Sequence, residues 1–273
     1  PPVGSCPAHL PCIDTLHKIV IIMAINPIDA MSISMIILFT SFNGFQSLAT
    51  SILPASFSET ALTALYASFA LAAALGTGPL LASATPKTIA SVSFAGYAAM
   101  TGISAVVSRW GSHLGTGGTA AAAVTVGVWA GLSAAALWTA QGVYCARWAA
   151  VWVRADERAV GDSSDAASLD DRISARVATV MSRFWGLFQL NIITANLLSI
   201  LVLSAGVTAK HAILWVFTGV AFLAIVFIVV VVPPLPAEAR LPPAPSHAGP
   251  RRSAAARAWA ALATIATQYR DPR

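Results

Sequence analysis

The chain has 273 residues and a formal net charge of +5, with 57% apolar and only 10% charged side chains, against roughly 45–50% and 25% in soluble domains. That balance argues against a water-soluble fold, because each long uncharged run would need a fully buried core helix to hide it. Nucleic acid is not an expected partner either, since the basic excess is arginine in connecting segments and tail, as membrane topology alone predicts.

Residues 1 to 29 mix Pro1, Pro2, Pro7 and Pro11 with Asp14, His17 and Lys18. The apolar stretch from Ile19 to Ile25 is too short to span a bilayer, and Pro27 and Asp29 interrupt it. It lacks the longer apolar core and small-residue cleavage site of a signal peptide, so a lead-in or an interfacial helix is expected. Six apolar runs follow, near 31–53, 60–83, 87–108, 119–145, 177–204 and 211–232. Each is longer than the roughly 20 residues that cross about 30 Å of hydrocarbon, so the expected fold is all-α, a six-helix polytopic membrane domain over residues 30–232.

Beyond Val232 seven prolines fall between Pro233 and Pro250, a composition that favours an extended linker. Residues 251–273 are rich in alanine and arginine, and a linker or a short surface helix is expected there. The segment 146–176 carries Asp156, Glu157, Asp162, Asp165, Asp170 and Asp171 among five arginines. It reads as a solvated, flexible loop, with a docking site for a partner as the alternative.

Positive charge sets the orientation. With the N-terminus cytoplasmic, fourteen Lys and Arg residues fall on that side and only Arg109 and Lys210 on the other. Without the residues after 232 the count is still eight against two. Both termini are therefore expected in the cytoplasm, with the plasma membrane and internal membranes equally open.

Small residues provide close helix contacts where lipid supplies no hydrophobic drive. Ala64, Ser68, Ala72 and Gly76 recur every fourth position in the second run, and Gly127 and Gly131 form a GxxxG in the fourth. Packing within one bundle is expected from them, a dimer contact being the alternative.

Apart from Arg183 near an end, and Lys87 and His211 at the first positions of their runs, no ionisable Asp, Glu, Lys, Arg or His lies within the six runs. A charge at the bilayer centre costs about 2.5–3.5 kcal/mol on insertion scales and is kept mainly for coupling, relay or catalysis. Intramembrane hydrolysis needs a nucleophile with a base, or paired carboxylates, so an enzyme is not expected. His113 and His211 are too isolated for a metal site, and Cys6, Cys12 and Cys145 show no ligand spacing; a Cys6–Cys12 bridge stays open. No metal and no cofactor are expected.

What the runs do carry is neutral polarity at helical spacing. Thr40, Asn43, Ser47 and Thr50 form one stripe in the first run with Gln46 beside it; Trp138, Gln141 and Cys145 share a face in the fourth, adjoined by Thr139 and Tyr144; Gln189 and Asn196 share one in the fifth. Amides facing lipid would be unsatisfied, so these faces should turn inward. Interhelical hydrogen bonds that only fix the bundle are one reading, at about 0.6 kcal/mol each. A cavity that coordinates a cation or binds a small polar solute is the other.

The run Ala136-Leu137-Trp138-Thr139-Ala140-Gln141-Gly142-Val143-Tyr144 resembles the most recognisable segment of the UNC-ninety-three-like family, the ion-channel-regulatory branch of the major facilitator superfamily. Ser41-Phe42-Asn43-Gly44-Phe45-Gln46-Ser47-Leu48 resembles that family's first membrane helix. Phe184-Trp185-Gly186-Leu187-Phe188-Gln189-Leu190, with Asn196-Leu197-Leu198-Ser199, resembles its fifth. The three occur in order, and the likeness covers about residues 30 to 232.

The resemblance implies the N-terminal six-helix half of a major-facilitator fold, in which the first, fourth and fifth helices border a central cavity. Asn43, Gln46, Trp138, Thr139, Gln141, Tyr144, Gln189 and Asn196 would then line it. Tyr269-Arg270-Asp271-Pro272-Arg273 looks like the approach to a seventh helix, so a truncated twelve-helix chain and a missing second half are expected. Of the superfamily's charged motif between helices two and three only Lys87 remains, which weakens the case for ordinary alternating access. The implied role is regulation of an ion channel, usually a potassium channel, or of membrane-protein trafficking. A transporter of an ion or small polar solute and a scaffold subunit are the alternatives.

Overall fold

The computed structural model describes residues 25–75, 84–160, 166–206 and 210–236. Among these there are helices and no strand: α1 (Pro27–Ile52), α2 (Ala55–Leu75), α3 (Pro86–Val160), α4 (Ala166–Phe188), α5 (Leu190–Ser204) and α6 (Lys210–Val230). Five stretches are long and apolar enough to cross a membrane: α1, α2, Pro86–Ala159 in α3, Ser168–Ser204 across α4 and α5, and α6. This is the architecture of a multi-pass integral membrane protein.

Local sequence sets each boundary. Asn26 caps α1 by accepting from the Ile28 N–H at 2.9 Å, Pro27 occupies the first turn, and Asp29 places its carboxylate at the positive helix end. The expected lead-in therefore gives way to helix at residue 27. Leu53 is extended because Pro54 follows it, and the Pro54 carbonyl then accepts from the Phe57 and Ser58 N–H groups to start α2. Thr85 accepts from the Thr88 N–H at 3.2 Å ahead of α3.

A straight 75-residue helix would run about 112 Å at 1.5 Å per residue. Instead α3 reverses at Gly115, whose φ of 65° and ψ of 177° belong to a region essentially reserved for glycine. The two arms, 86–114 and 116–160, fold back on each other, with Gly96 packed against the side chains of Ser133 and Trp129. The third and fourth expected runs are thus joined by helix continuing on both sides of Gly115, because 108–118 holds no proline and one glycine at the reversal is enough.

The charged segment 146–176 is also mostly helical. Ala146 to Val160 contains neither glycine nor proline, so the second arm continues to Val160, and α4 begins at Ala166. Across this hairpin Arg172 Nη1 meets Glu157 Oε1 at 3.1 Å, and the Arg176 guanidinium lies 5.5 Å from the Trp152 ring centre. Asp162 and Asp165 lie outside the described residues, as do Gly76, Cys6, Cys12 and everything expected of 237–273.

The helix α1 is the centre of the bundle. Of its membrane-length window 72% is buried, against 17% for α2 and 39% for α6. It packs against α4, α5 and α6 as well as α3. Gly44 lets α1 approach the Phe217 ring of α6, where a Cβ would stand 2.8 Å from Phe217 Cζ, and Ser41 Oγ donates to the Phe217 carbonyl at 2.6 Å. On the far side α2 lies on the second arm of α3: a Cβ at Gly127 would come 2.8 Å from Ala64 Cβ, and one at Gly131 would come 2.9 Å from the Phe69 nitrogen.

The outward faces are apolar. Ile192, Ile193, Leu197, Ile200 and Leu201 of α5 and Phe222, Leu223, Val226 and Val229 of α6 are all more than half exposed. A soluble monomer rarely presents so large a continuous apolar surface; hydrocarbon covers it without penalty.

Candidate functional site

The polar centre of the bundle is a seam between α1 and α5. Thr40 Oγ1 and Thr194 Oγ1 lie 2.5 Å apart, and one turn along Asn43 Nδ2 donates to Asn191 Oδ1 at 2.5 Å. Thr40–Thr194 and the Asp29–Arg183 pair near the start of α1 keep the same sequence offset of 154, so α1 and the α4–α5 stretch run parallel, with Asn43 and Asn191 crossing between them. Asn191 is buried, with 2% exposure.

Its second bond explains the break between α4 and α5. The Ile192 N–H bonds to the Gln189 carbonyl at 3.3 Å instead of continuing the regular ladder to Phe188. That frees the Phe188 carbonyl, and Asn191 Nδ2 donates to it. In hydrocarbon a released carbonyl must find a partner, and Asn191 supplies one while holding α1 with its other end.

Beside the seam lies a recess of about 330 Å³ lined by Asn43, Gln46, Ser47, Ile192, Ala195 and Asn196, open toward the bundle's side. Gln46 Nε2 donates to the Tyr66 hydroxyl of α2 at 2.7 Å. Ser47 bonds back to the Asn43 carbonyl of its own helix. Asn196 is exposed and makes no protein hydrogen bond among the described residues, standing beside Ile192, Ile193 and Leu197.

The other expected residues have different neighbours. Trp138 stacks on Trp185 with centroids 5.4 Å apart and planes at 11°, and its ring also meets Phe39 at 5.3 Å and Phe188 at 5.4 Å. Through Phe39, one residue before Thr40, this aromatic cluster adjoins the seam. Thr139 donates to the Ala135 carbonyl of its own helix. Gln141 is buried and donates to two sulfur atoms, Cys145 Sγ at 3.2 Å and Met181 Sδ at 3.8 Å. Tyr144 is fully buried and donates to the Pro233 carbonyl at 2.8 Å, fastening the segment after α6 to the second arm of α3. Gln189 is exposed at the break between α4 and α5.

The structure therefore gathers Asn43, Gln46 and Asn196 at one recess, sets Trp138 in the adjoining aromatic cluster, gives Thr139, Gln141 and Tyr144 partners elsewhere, and leaves Gln189 exposed at the break between α4 and α5. Asn191, Thr194 and Tyr66 are the residues the sequence reading missed. The signal for two of them was present: Asn191 and Thr194 repeat the i, i+3 spacing of Thr40 and Asn43.

Chemically the seam offers amides and hydroxyls whose capacity is largely spent on one another. At the N-terminal end of α1, Arg183 of α4 grips Asp29 through both guanidinium arms, Nε to Oδ1 at 2.8 Å and Nη2 to Oδ2 at 2.6 Å. Among the described residues no three His, Cys, Asp or Glu side chains stand together as a metal site. A scan of family models, a search of curated proteins and a search of solved structures each found no match to the chain.

Proposed function

We propose that this chain is the N-terminal six-pass half of an UNC-ninety-three-like major-facilitator fold, acting as a non-enzymatic regulator of an ion channel, with potassium channels the foremost class, or of membrane-protein trafficking. Counting the arms of α3 as two passes and α4 with α5 as one gives six, with both termini cytoplasmic by the charge count. Its partners are the lipid bilayer, a channel or other membrane protein, and a second six-helix half. It works without a cofactor.

One observation carries the regulatory reading over transport. The α1 and α5 side chains at the bundle centre close on each other, Asn43 on Asn191 and Thr40 on Thr194, whereas a solute pathway needs polar groups left free to replace hydration. The transporter alternative rests on the recess at Asn43, Gln46 and Asn196; the scaffold alternative rests on the charged hairpin at Glu157 and Arg172.

The test is co-expression with a potassium channel alongside reconstitution of the purified chain in vesicles. Regulation predicts a changed current density in cells and no potassium flux through vesicles holding the chain alone. Flux that disappears on Asn43→Leu would overturn it in favour of transport. Loss of all partner binding on removal of 155–170, with the current otherwise unregulated, would favour the scaffold.

A further inference from the structure

A second and larger cavity lies at the opposite end of the bundle from the Arg183–Asp29 pair. It has a volume of about 960 Å³ and is bounded by the α1–α2 turn, the reversal of α3 and the first residue of α6. Cavities of roughly 300–1,000 Å³ are the size that holds small ligands. Its floor is apolar and buried, made by Ile52, Leu53, Phe57 and Val107. Its wall carries the hydroxyls of Ser56, Thr60, Ser108, Ser112, Thr116 and Thr119.

The charges are what single it out. Arg109 and Lys210 are the only two Lys or Arg residues at this end of the described bundle, they come from elements a hundred residues apart in sequence, and both line this cavity. Neither forms an ion pair or side-chain hydrogen bond among the described residues; at the other end Arg172, Arg176 and Arg183 have partners, and Arg147 and Arg154, likewise without one, line neither cavity. The one carboxylate at this end among the described residues, Glu59, is exposed and not part of the lining. Two unpaired cations on one apolar-floored cavity with no acid in its wall is a site of uncompensated positive charge.

We propose that this cavity binds a phosphate-bearing anion, with the Arg109 guanidinium taking two of its oxygens, the Lys210 ammonium neutralising the charge, and the hydroxyls accepting or donating around them. Guanidinium matches phosphate in a bidentate fork, and the compact ammonium acts beside it as a point charge. The same chemistry is presented by a phospholipid headgroup, whose chains would lie along Phe57 and Val107, and by a soluble phosphate.

The experiment uses the full chain purified in a neutral detergent. In one arm it is exchanged into nanodiscs of phosphatidylcholine with or without phosphatidylglycerol, and bound lipid is counted by native mass spectrometry. In the other, inorganic phosphate is titrated against thermal unfolding in detergent. Arg109→Gln with Lys210→Gln is expected to weaken binding by about tenfold or more, the scale of losing one charge-assisted contact. Arg154→Gln, an exposed cation at the other end, should leave binding unchanged, and Arg109→Lys should retain part of it.

Loss confined to phosphatidylglycerol assigns the site to a headgroup; loss of a phosphate-induced rise in unfolding temperature assigns it to a soluble anion. If the double variant is not recovered folded, Arg109→Gln against Arg109→Lys makes the same comparison. Binding in neither arm, or binding equal in the charge-removed and native chains, overturns the proposal.

Discussion

Replacing Gly131 with alanine should weaken the bundle, and Gly142 in the same helix provides the comparison. A Cβ at Gly131 would stand 2.9 Å from the Phe69 nitrogen and closer still to the Leu65 carbonyl and Ser68 Oγ. Ser68 Oγ is held at 2.7 Å on the Ala64 carbonyl, and the other two atoms are backbone, so α2 itself has to move. At Gly142 no atom lies within 4 Å of the added carbon. Both substitutions gain the same helix propensity, up to about 1 kcal/mol, so the difference between them isolates the contact. Overpacking of this kind costs about 1–3 kcal/mol, which at roughly 2–4 °C per kcal/mol separates the two variants by several degrees. Thermal unfolding of the purified proteins in one detergent measures it. Equal stability of the two variants would show that α2 and the second arm of α3 do not approach at Gly131, and the argument from small residues would fail.

Gly115→Ala should also destabilise, by about 1–3 kcal/mol, for a different reason: its surroundings are empty, but its φ of 65° strains any side chain. Protease sensitivity at the reversal, together with unfolding temperature, reads this out. A double-mutant cycle on Asn43→Leu and Asn191→Leu should return a coupling of about 0.6 kcal/mol and at most about 1.7 kcal/mol, since the hydrogen bond is made in hydrocarbon; zero coupling would remove the seam. Arg183→Gln should cost less than about 1 kcal/mol despite its two-armed geometry, because the Arg183 and Asp29 side chains are 56% and 23% exposed. That small loss should vanish in high salt, and a salt-independent loss would mean the pair is more shielded than its exposure indicates.

Helix content and the membrane-scale runs were legible because they depend on local composition alone. Long apolar stretches, the Asn26–Pro27 start, the small-residue rows and the Pro54 turn each act within a few residues. Less legible were the places where continuity depends on geometry. The segment 108–118 looked like a loop for its glycines, yet only Gly115 leaves helical conformation. The charged 146–160 stretch looked flexible because of its acids, yet its unbroken alanine, valine and tryptophan content keeps it helical. At the seam, a stripe on α1 was visible from spacing, but its partner was not. Gln189 and Asn196 share a seven-residue period, whereas the chain breaks at Gln189 and shifts the inward face to Asn191 and Thr194. Such a phase change is set by one missing hydrogen bond, which periodicity does not reveal.

Whether the chain crosses the membrane six times is decided by single-cysteine labelling in a chain otherwise free of cysteine. Ser112 and Lys210 stand at the Gly115 end of the bundle, and Arg154 lies on the hairpin at the other. A membrane-impermeant maleimide applied to intact cells, or to sealed vesicles of known sidedness, should reach cysteines at 112 and 210 from one face and a cysteine at 154 only from the opposite face. Labelling of 112 and 154 from the same side would mean that the second arm of α3 does not cross the membrane, and the six-pass bundle proposed for this chain would be wrong.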